Sequence, residues 1–195
     1  LGRMARLKEF DPDAVLERAL NLFWARGYEA TSMADLVEHL GIGRASLYAT
    51  YGNKRDLYLK ALDRYARRAT GPIEIVSQPG PVLPAIRQLI DYYIGLASRD
   101  RDNRGCMIAN AAIECGTTDP DVSRLVTRNW QAIEGALASA LIRARAQGEL
   151  ADHKDPHALA QLLLVFLQGM VVVGKGDPDL DRLRTAGDQL LAMYG

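Results

Sequence analysis

The sequence predicts an all-α protein in two parts: a helix-turn-helix module at residues 1–68 and a larger helical domain at residues 69–195. Three observations carry this. Apolar residues recur at i, i+3, i+4 and i+7 in successive windows, which is the spacing of one helix face. Asp-Pro occurs four times, at Asp11-Pro12, Asp119-Pro120, Asp155-Pro156 and Asp177-Pro178. Each pair fits a helix start, because Asp accepts from unpaired amides at the N-cap and Pro at the first helical position forfeits no hydrogen bond. Finally, no strand alternation, internal repeat or low-complexity segment interrupts the pattern. About nine helices are expected.

The first helix opens at Asp11, ends at Gly27 and turns Val15, Leu16, Ala19, Leu20, Leu22 and Phe23 inward. Residues 31–54, TSMADLVEHLGIGRASLYATYGNK, read as two short helices across a glycine-bounded turn. Thr31 or Ser32 caps the second helix, and Asp35 stands three residues after Ser32 in a capping-box-like start. Met33, Leu36, Val37 and Leu40 form its buried face, Gly41 supplies a left-handed C-cap and Ile42 plugs the corner. Residues 44–51 make a third helix of about two turns, anchored by Leu47 and Tyr51. Its remaining residues, Arg44, Ala45, Ser46, Tyr48, Ala49 and Thr50, are small or hydrogen-bonding and include no acid. Such a face suits the major groove of DNA.

Asn53 or its neighbour caps a fourth helix over residues 54–68, with Leu57, Ala61, Leu62 and Tyr65 inward and Arg64, Arg67 and Arg68 outward. Residues 70–84, rich in Gly and Pro, read as a linker. A helix over 84–99 carries Ile86, Leu89, Ile90, Tyr93 and Leu96, and the charged stretch 99–104 is a solvated turn. A short helix over 105–115 is apolar on nearly every side and should be largely buried. Asp119 starts the longest helix, to residue 147 or 148. Asp155 opens another, apolar almost all round as far as residue 173, whose cover is expected to be a partner subunit. Asp177 begins the last.

Apolar residues make up 48% of the 195, ample for a core, and the formal net charge is zero. The charge is unevenly spread. Residues 1–70 hold twelve Lys/Arg against nine Asp/Glu, and residues 71–195 hold twelve against fifteen. A modest positive excess therefore lies on the helix-turn-helix half. The opening LGRMARLKEF has no apolar core of leader length. The apolar run 162–173 is broken by Gln168 and is shorter than the roughly 20 residues of a membrane span. No leader, no membrane and a cytoplasmic location are expected. Cys106 and Cys115 read as reduced thiols. His153 and His157 are separated by a helix start, and His39 is distant in sequence, so neither a metal nor another cofactor is expected. No nucleophile elbow, phosphate loop or zinc-protease motif points to an enzyme.

In the larger domain, polar residues within apolar stretches, Asn110, Gln131 and Gln168, could orient a ligand. Tyr92, Tyr93, Met107, Trp130, Phe166 and Met170 are candidate walls, although aromatics at helical spacing also make ordinary core. Cys106 follows Arg101 and Arg104 in what reads as the first turn of a helix, where positive charge favours a reactive thiolate. Lys175 is its candidate neighbour. The bland alternative is a small buried hydrophobe.

Residues 10–62 resemble the DNA-binding domain of the tetracycline-repressor-like (TetR) transcription regulators. The resemblance rests on GY..TSM, then LGIGRASLYATYGNK, then an apolar fourth helix, in the family's order and spacing. Val37 departs from it, standing where the family more often has Ala. The remainder resembles the family's ligand-binding and dimerisation domain in helix number and length, with GCMIANAAIE close to one branch. The resemblance implies a homodimer on a near-palindromic operator in double-stranded DNA, released when a small-molecule effector binds. Carried over by position, Thr31 or Ser32 would touch phosphate, residues 44–51 would enter the major groove, and Tyr48 and Lys54 would hold the backbone. Arg44 and Ser46 could read base edges, with Ala45 and Thr50 on the same face. Pairing is expected through helices at about 155–173 and 178–194, and coupling through the fourth helix and the short helix near Gly105. A redox- or electrophile-sensing repressor acting through Cys106 is the alternative.

Overall fold

The computed structural model describes residues 10–100, 102–177 and 179–194; these form ten helices and no strand. The chain divides into two compact units, Leu1–Tyr65 and Ala66–Gly195. Helices α1 (Pro12–Arg26), α2 (Met33–Leu40), α3 (Arg44–Tyr51) and most of α4 (Lys54–Arg68) make up the first. The second holds α5 (Gly71–Ser77), α6 (Val82–Arg99), α7 (Met107–Cys115), α8 (Pro120–Ala146), α9 (Pro156–Gly176) and α10 (Leu180–Ala192). The opening segment, from which the absence of a leader is expected, lies outside the described residues, as do Arg101 and Pro178.

Three Asp-Pro pairs start helices as anticipated. Asp11 accepts from the amide of Asp13, Asp119 from those of Asp121 and Val122, and Asp155 from that of His157, each with Pro in the first turn. At the fourth pair, Asp177 instead follows the end of α9, and Asp179 caps α10 by accepting from Asp181 and Arg182. The stretch 70–84 is also more than a linker, since α5 forms within it with Pro72 in its first turn. Pro72 and Val76 are buried, and Ile73 and Ile75 pack against the core of the second unit. A seven-residue helix has little stability of its own, so tertiary burial is what holds it.

Two side chains of the α8 end and its following turn frame the junction between α5 and α6. The Arg143 guanidinium donates to the carbonyls of Val76 and Gln78 at 3.0 and 3.1 Å. Glu149 accepts from the amides of Val82 and Leu83 at 2.9 and 3.0 Å, capping α6 where Pro81 offers no side-chain acceptor. The core between them contains Ile86, Leu89 and Ile90 of α6, Leu137 and Leu141 of α8, and Leu163 and Leu167 of α9. At Gly187 an added Cβ would stand 2.6 Å from Ile90 Cγ2, so the close approach of α10 to α6 requires glycine. Beyond α10, Tyr194 is wholly buried and its hydroxyl donates to the Leu159 carbonyl at 3.0 Å. The Lys154 ammonium donates to the carbonyls of Met193 and Tyr194 at 2.8 and 2.9 Å.

Helix α9 is apolar on two sides. Ala160, Leu163, Leu167, Met170 and Gly174 are buried, whereas Leu162, Val165, Val172 and Val173 face outward, Val165 with 71% of its surface exposed. With 21 residues the helix is longer than the run 162–173 suggests, and by length and composition it could cross a membrane. Its buried face is part of the second unit's core. The exposed residues of α10 include Asp181, Arg182, Arg184 and Asp188, a charged face. Helix α7 is less enclosed than its composition suggests, because Ile113 is 75% exposed.

Candidate nucleic-acid interface

Two buried anchors set the rotation of α3. Leu47 is wholly buried and Tyr51 nearly so, and the Tyr51 hydroxyl donates to the Pro12 carbonyl at 2.6 Å, tying α3 to the start of α1. The Lys60 ammonium donates to the Tyr51 carbonyl at 3.3 Å, covering one of the unpaired acceptors at the helix end. Gly52 then turns with φ 85° and ψ −148°, and an added Cβ would stand 2.3 Å from the Asp56 carboxylate. That carboxylate accepts from the Asn53 amide at 3.0 Å, while Asn53 Oδ1 accepts from the Asp56 amide at 2.9 Å. This reciprocal cap starts α4 directly after α3. What α3 presents outward is Arg44, Ala45, Ser46, Tyr48 and Ala49, all exposed, with Thr50 half-buried at the edge.

The turn into α2 sorts the two hydroxyls expected at phosphate. Ser32 is the exposed N-cap, and its capping box with Asp35 runs in both directions, at 3.1 and 2.8 Å. The Ser32 hydroxyl also donates to the Asp35 carboxylate at 2.5 Å; this bond first, and then the one from the Ser32 amide, holds the Asp35 carboxyl below the usual carboxylate range, and the Arg26 guanidinium at 3.2 Å adds to the effect. Thr31 is wholly buried, with its hydroxyl donated to the Gly27 carbonyl at 2.6 Å. It shapes the turn from a fully buried position, which leaves the exposed Ser32 as the candidate of the pair. Gly41 closes α2 in the left-handed conformation, φ 65° and ψ 27°.

Lys54, the first residue of α4, lies with its ammonium 4.2 Å from the centre of the Tyr28 ring. Tyr28 in turn packs on Tyr58 at 4.8 Å and near Phe23 at 6.4 Å. Arg64, expected outward beside Arg67 and Arg68, instead bridges Asp13 and Glu17 of α1 at 2.8 and 3.0 Å. The Asn53-x-x-Asp56 spacing announces its cap in the sequence. The partners of Arg64 lie 51 and 47 residues away and leave no local signal.

Comparison with known proteins fits this geometry. Residues 15–61 match the model of bacterial regulatory proteins of the tetR family, and residues 82–190 match that of the tetracyclin repressor-like C-terminal domain. The chain belongs to the TetR family. A TetR-type relative, the HTH-type transcriptional regulator YezE of Bacillus subtilis (strain 168), is 38% identical over 97% of this chain and 99% of its own. The HTH-type transcriptional repressor ComR of Escherichia coli (strain K12) is 33% identical over 97% and 91%. Among solved structures, a cysteine-substituted CifR, a TetR-family regulator in complex with double-strand operator DNA, superposes with a TM-score of 0.85. It is 26% identical, over 98% of this chain and 100% of that one.

The second unit of this TetR-family chain gathers some of the expected ligand residues. The Tyr92 and Tyr93 rings meet edge-on at 5.7 Å. Burial pushes both hydroxyls above the ordinary tyrosine range, and Cys106 contributes to both shifts, so the three lie within electrostatic reach. Met107 and Met170 are buried, and Phe166 packs against the core. Asn110 is engaged as a tie: it donates to the Arg104 carbonyl at 2.7 Å and accepts from the Lys175 ammonium at 3.0 Å. Cys106 is the N-cap of α7, half-buried, and not a residue of its first turn. The Lys175 chain lies over the preceding Gly105, where an added Cβ would stand 3.0 Å from its Cδ. Gln131 is exposed. Trp130 Nε1 and Gln168 Oε1 are buried without a hydrogen-bond partner among the described residues.

Proposed function

We propose that this TetR-family chain acts in the cytoplasm as a homodimeric, sequence-specific DNA-binding regulator, a repressor that leaves its operator when a small molecule binds the second unit. The observation that carries the reading is the outer face of α3, acid-free and exposed while Leu47 and Tyr51 on the same helix are buried. In this assignment Arg44 and Ser46 read base edges, Ala45 and Thr50 complete the groove face, and Ser32, Tyr48 and Lys54 hold phosphates. Two copies pair through the exposed apolar side of α9 and place their α3 helices in grooves about 34 to 36 Å apart. The DNA-binding part ends with α4 at residue 68, and the chain has no catalytic role. ComR is named a repressor, and CifR was solved on operator DNA. Both support the reading.

The effector site is assigned to the region of Tyr92, Tyr93, Cys106, Met107, Trp130, Phe166 and Met170. The buried donor on Trp130 and the buried acceptor on Gln168 favour an effector with polar groups of its own. Binding acts by favouring the dimer in which the two α3 helices no longer match successive grooves. Footprinting on the DNA upstream of the chain's own gene, with small molecules screened for release, tests the whole reading. Absence of a protected near-palindrome, together with no salt-sensitive affinity for any duplex, would sink it. The half-buried Cys106, within electrostatic reach of two tyrosines, supports a second reading, a thiol-based sensor. Equal release of wild type and Cys106→Ser by mild oxidant removes that one.

A further inference from the structure

We propose that Tyr28 is a positioning residue for DNA binding, holding the Lys54 ammonium where a backbone phosphate can take it. The inference rests on the DNA-binding reading above. Lys54 opens α4, so its own helix presents it with the positive end of the dipole, an unfavourable place for a cation. What meets the charge there is the face of the Tyr28 ring, 4.2 Å from Nζ to the ring centre. Aromatic faces carry negative potential, and a cation within about 6 Å of the centre is attracted. The ring is itself fixed, because Tyr58 and Phe23, each almost fully buried, pack against it at 4.8 and 6.4 Å. Tyr28 therefore joins the core of the first unit to a half-buried lysine at its surface.

A free lysine side chain has many rotamers to lose when it meets a phosphate. Over Tyr28 much of that freedom is already gone before DNA arrives, and Lys54, only half-buried, retains surface open to an anion. The role is sequence-independent, so loss of the ring weakens binding to all duplexes alike and leaves base preference unchanged.

The test uses the full chain and a fluorescein-labelled mixed-sequence duplex, with affinity read by anisotropy across a salt series. Phenylalanine, then a ring-trifluorinated phenylalanine, is placed at position 28, each with Lys54 and with Lys54→Ala. Fluorination withdraws the negative face while keeping the ring's shape, so the fold is retained, and the thermal midpoints of the two ring variants should agree. Measured against Tyr28→Phe, the expected result is a loss of about two- to fivefold on fluorination, and no effect of fluorination once Lys54 is Ala. Lys54→Ala itself should lower the slope of log affinity against log salt by roughly 0.9 per bound chain. Unchanged affinity on fluorination overturns the proposal, and so does an equal loss in the Lys54→Ala background. Should the wild type show no salt-dependent binding to duplex, the DNA-binding reading falls first and this inference with it.

Discussion

Leu47 decides which residues α3 shows. Replacing this fully buried side chain by alanine removes the inner anchor of a two-turn helix, and a loss of about 2 to 5 kcal/mol is expected in denaturant unfolding. Arg44→Ala should leave stability unchanged, because Arg44 is exposed, yet cost about 1 to 3 kcal/mol of discrimination at one base pair of the operator. Asp35 gives a pH signature. Its folded carboxyl sits below the ordinary aspartate value of 3.8, so its stabilising effect is complete above that value and disappears as pH falls through the lower folded value. The difference in thermal midpoint between wild type and Asp35→Ala should therefore be constant at neutral pH and close below pH 3.8. The Ser32–Asp35 cap is legible in the sequence because its two residues stand three apart, and Leu47 and Tyr51 are legible because a spacing of four puts them on one helix face. The burial of Thr31 is not, because its partner carbonyl reaches it only through the bend at Gly27.

At the scale of elements, α9 makes the sharpest prediction. Val165 is so exposed that Val165→Glu should leave the thermal unfolding of an isolated chain almost unchanged, while sedimentation shows a shift from dimer to monomer and DNA affinity falls with it. Glu149→Ala probes a different element. It leaves the first amides of α6 without their acceptor, and a cost of about 1.5 to 3 kcal/mol should appear in the unfolding of the second unit. The long helices are legible because their Asp-Pro starts and apolar stripes are local. Helix α5 is hidden, since Gly71, Pro72, Pro79 and Gly80 punctuate the sequence like a linker and only burial in a core built from distant residues makes Gly71–Ser77 helical. The caps by Arg143 and Glu149 are hidden for the same reason, lying 65 to 67 residues from the backbone groups they satisfy.

For the molecule as a whole, a net charge of zero with only a small positive excess on residues 1–70 means that one copy holds DNA weakly. Affinity in the proposed dimer comes from engaging two half-sites at once, where the second contact forms at high effective concentration. A chain made monomeric at α9 should lose operator binding out of proportion to any change in its α3 surface. The two units also differ in when they can be completed. The first unit ends at Tyr65, whereas the core of the second is closed by Tyr194, with its hydroxyl on Leu159 and its carbonyl held by Lys154. During synthesis the DNA-reading unit is thus free to form while the rest is still being made. The outer face of α9 gains its supporting core only after Tyr194 has left the ribosome, so pairing of two chains is a late event in the life of each.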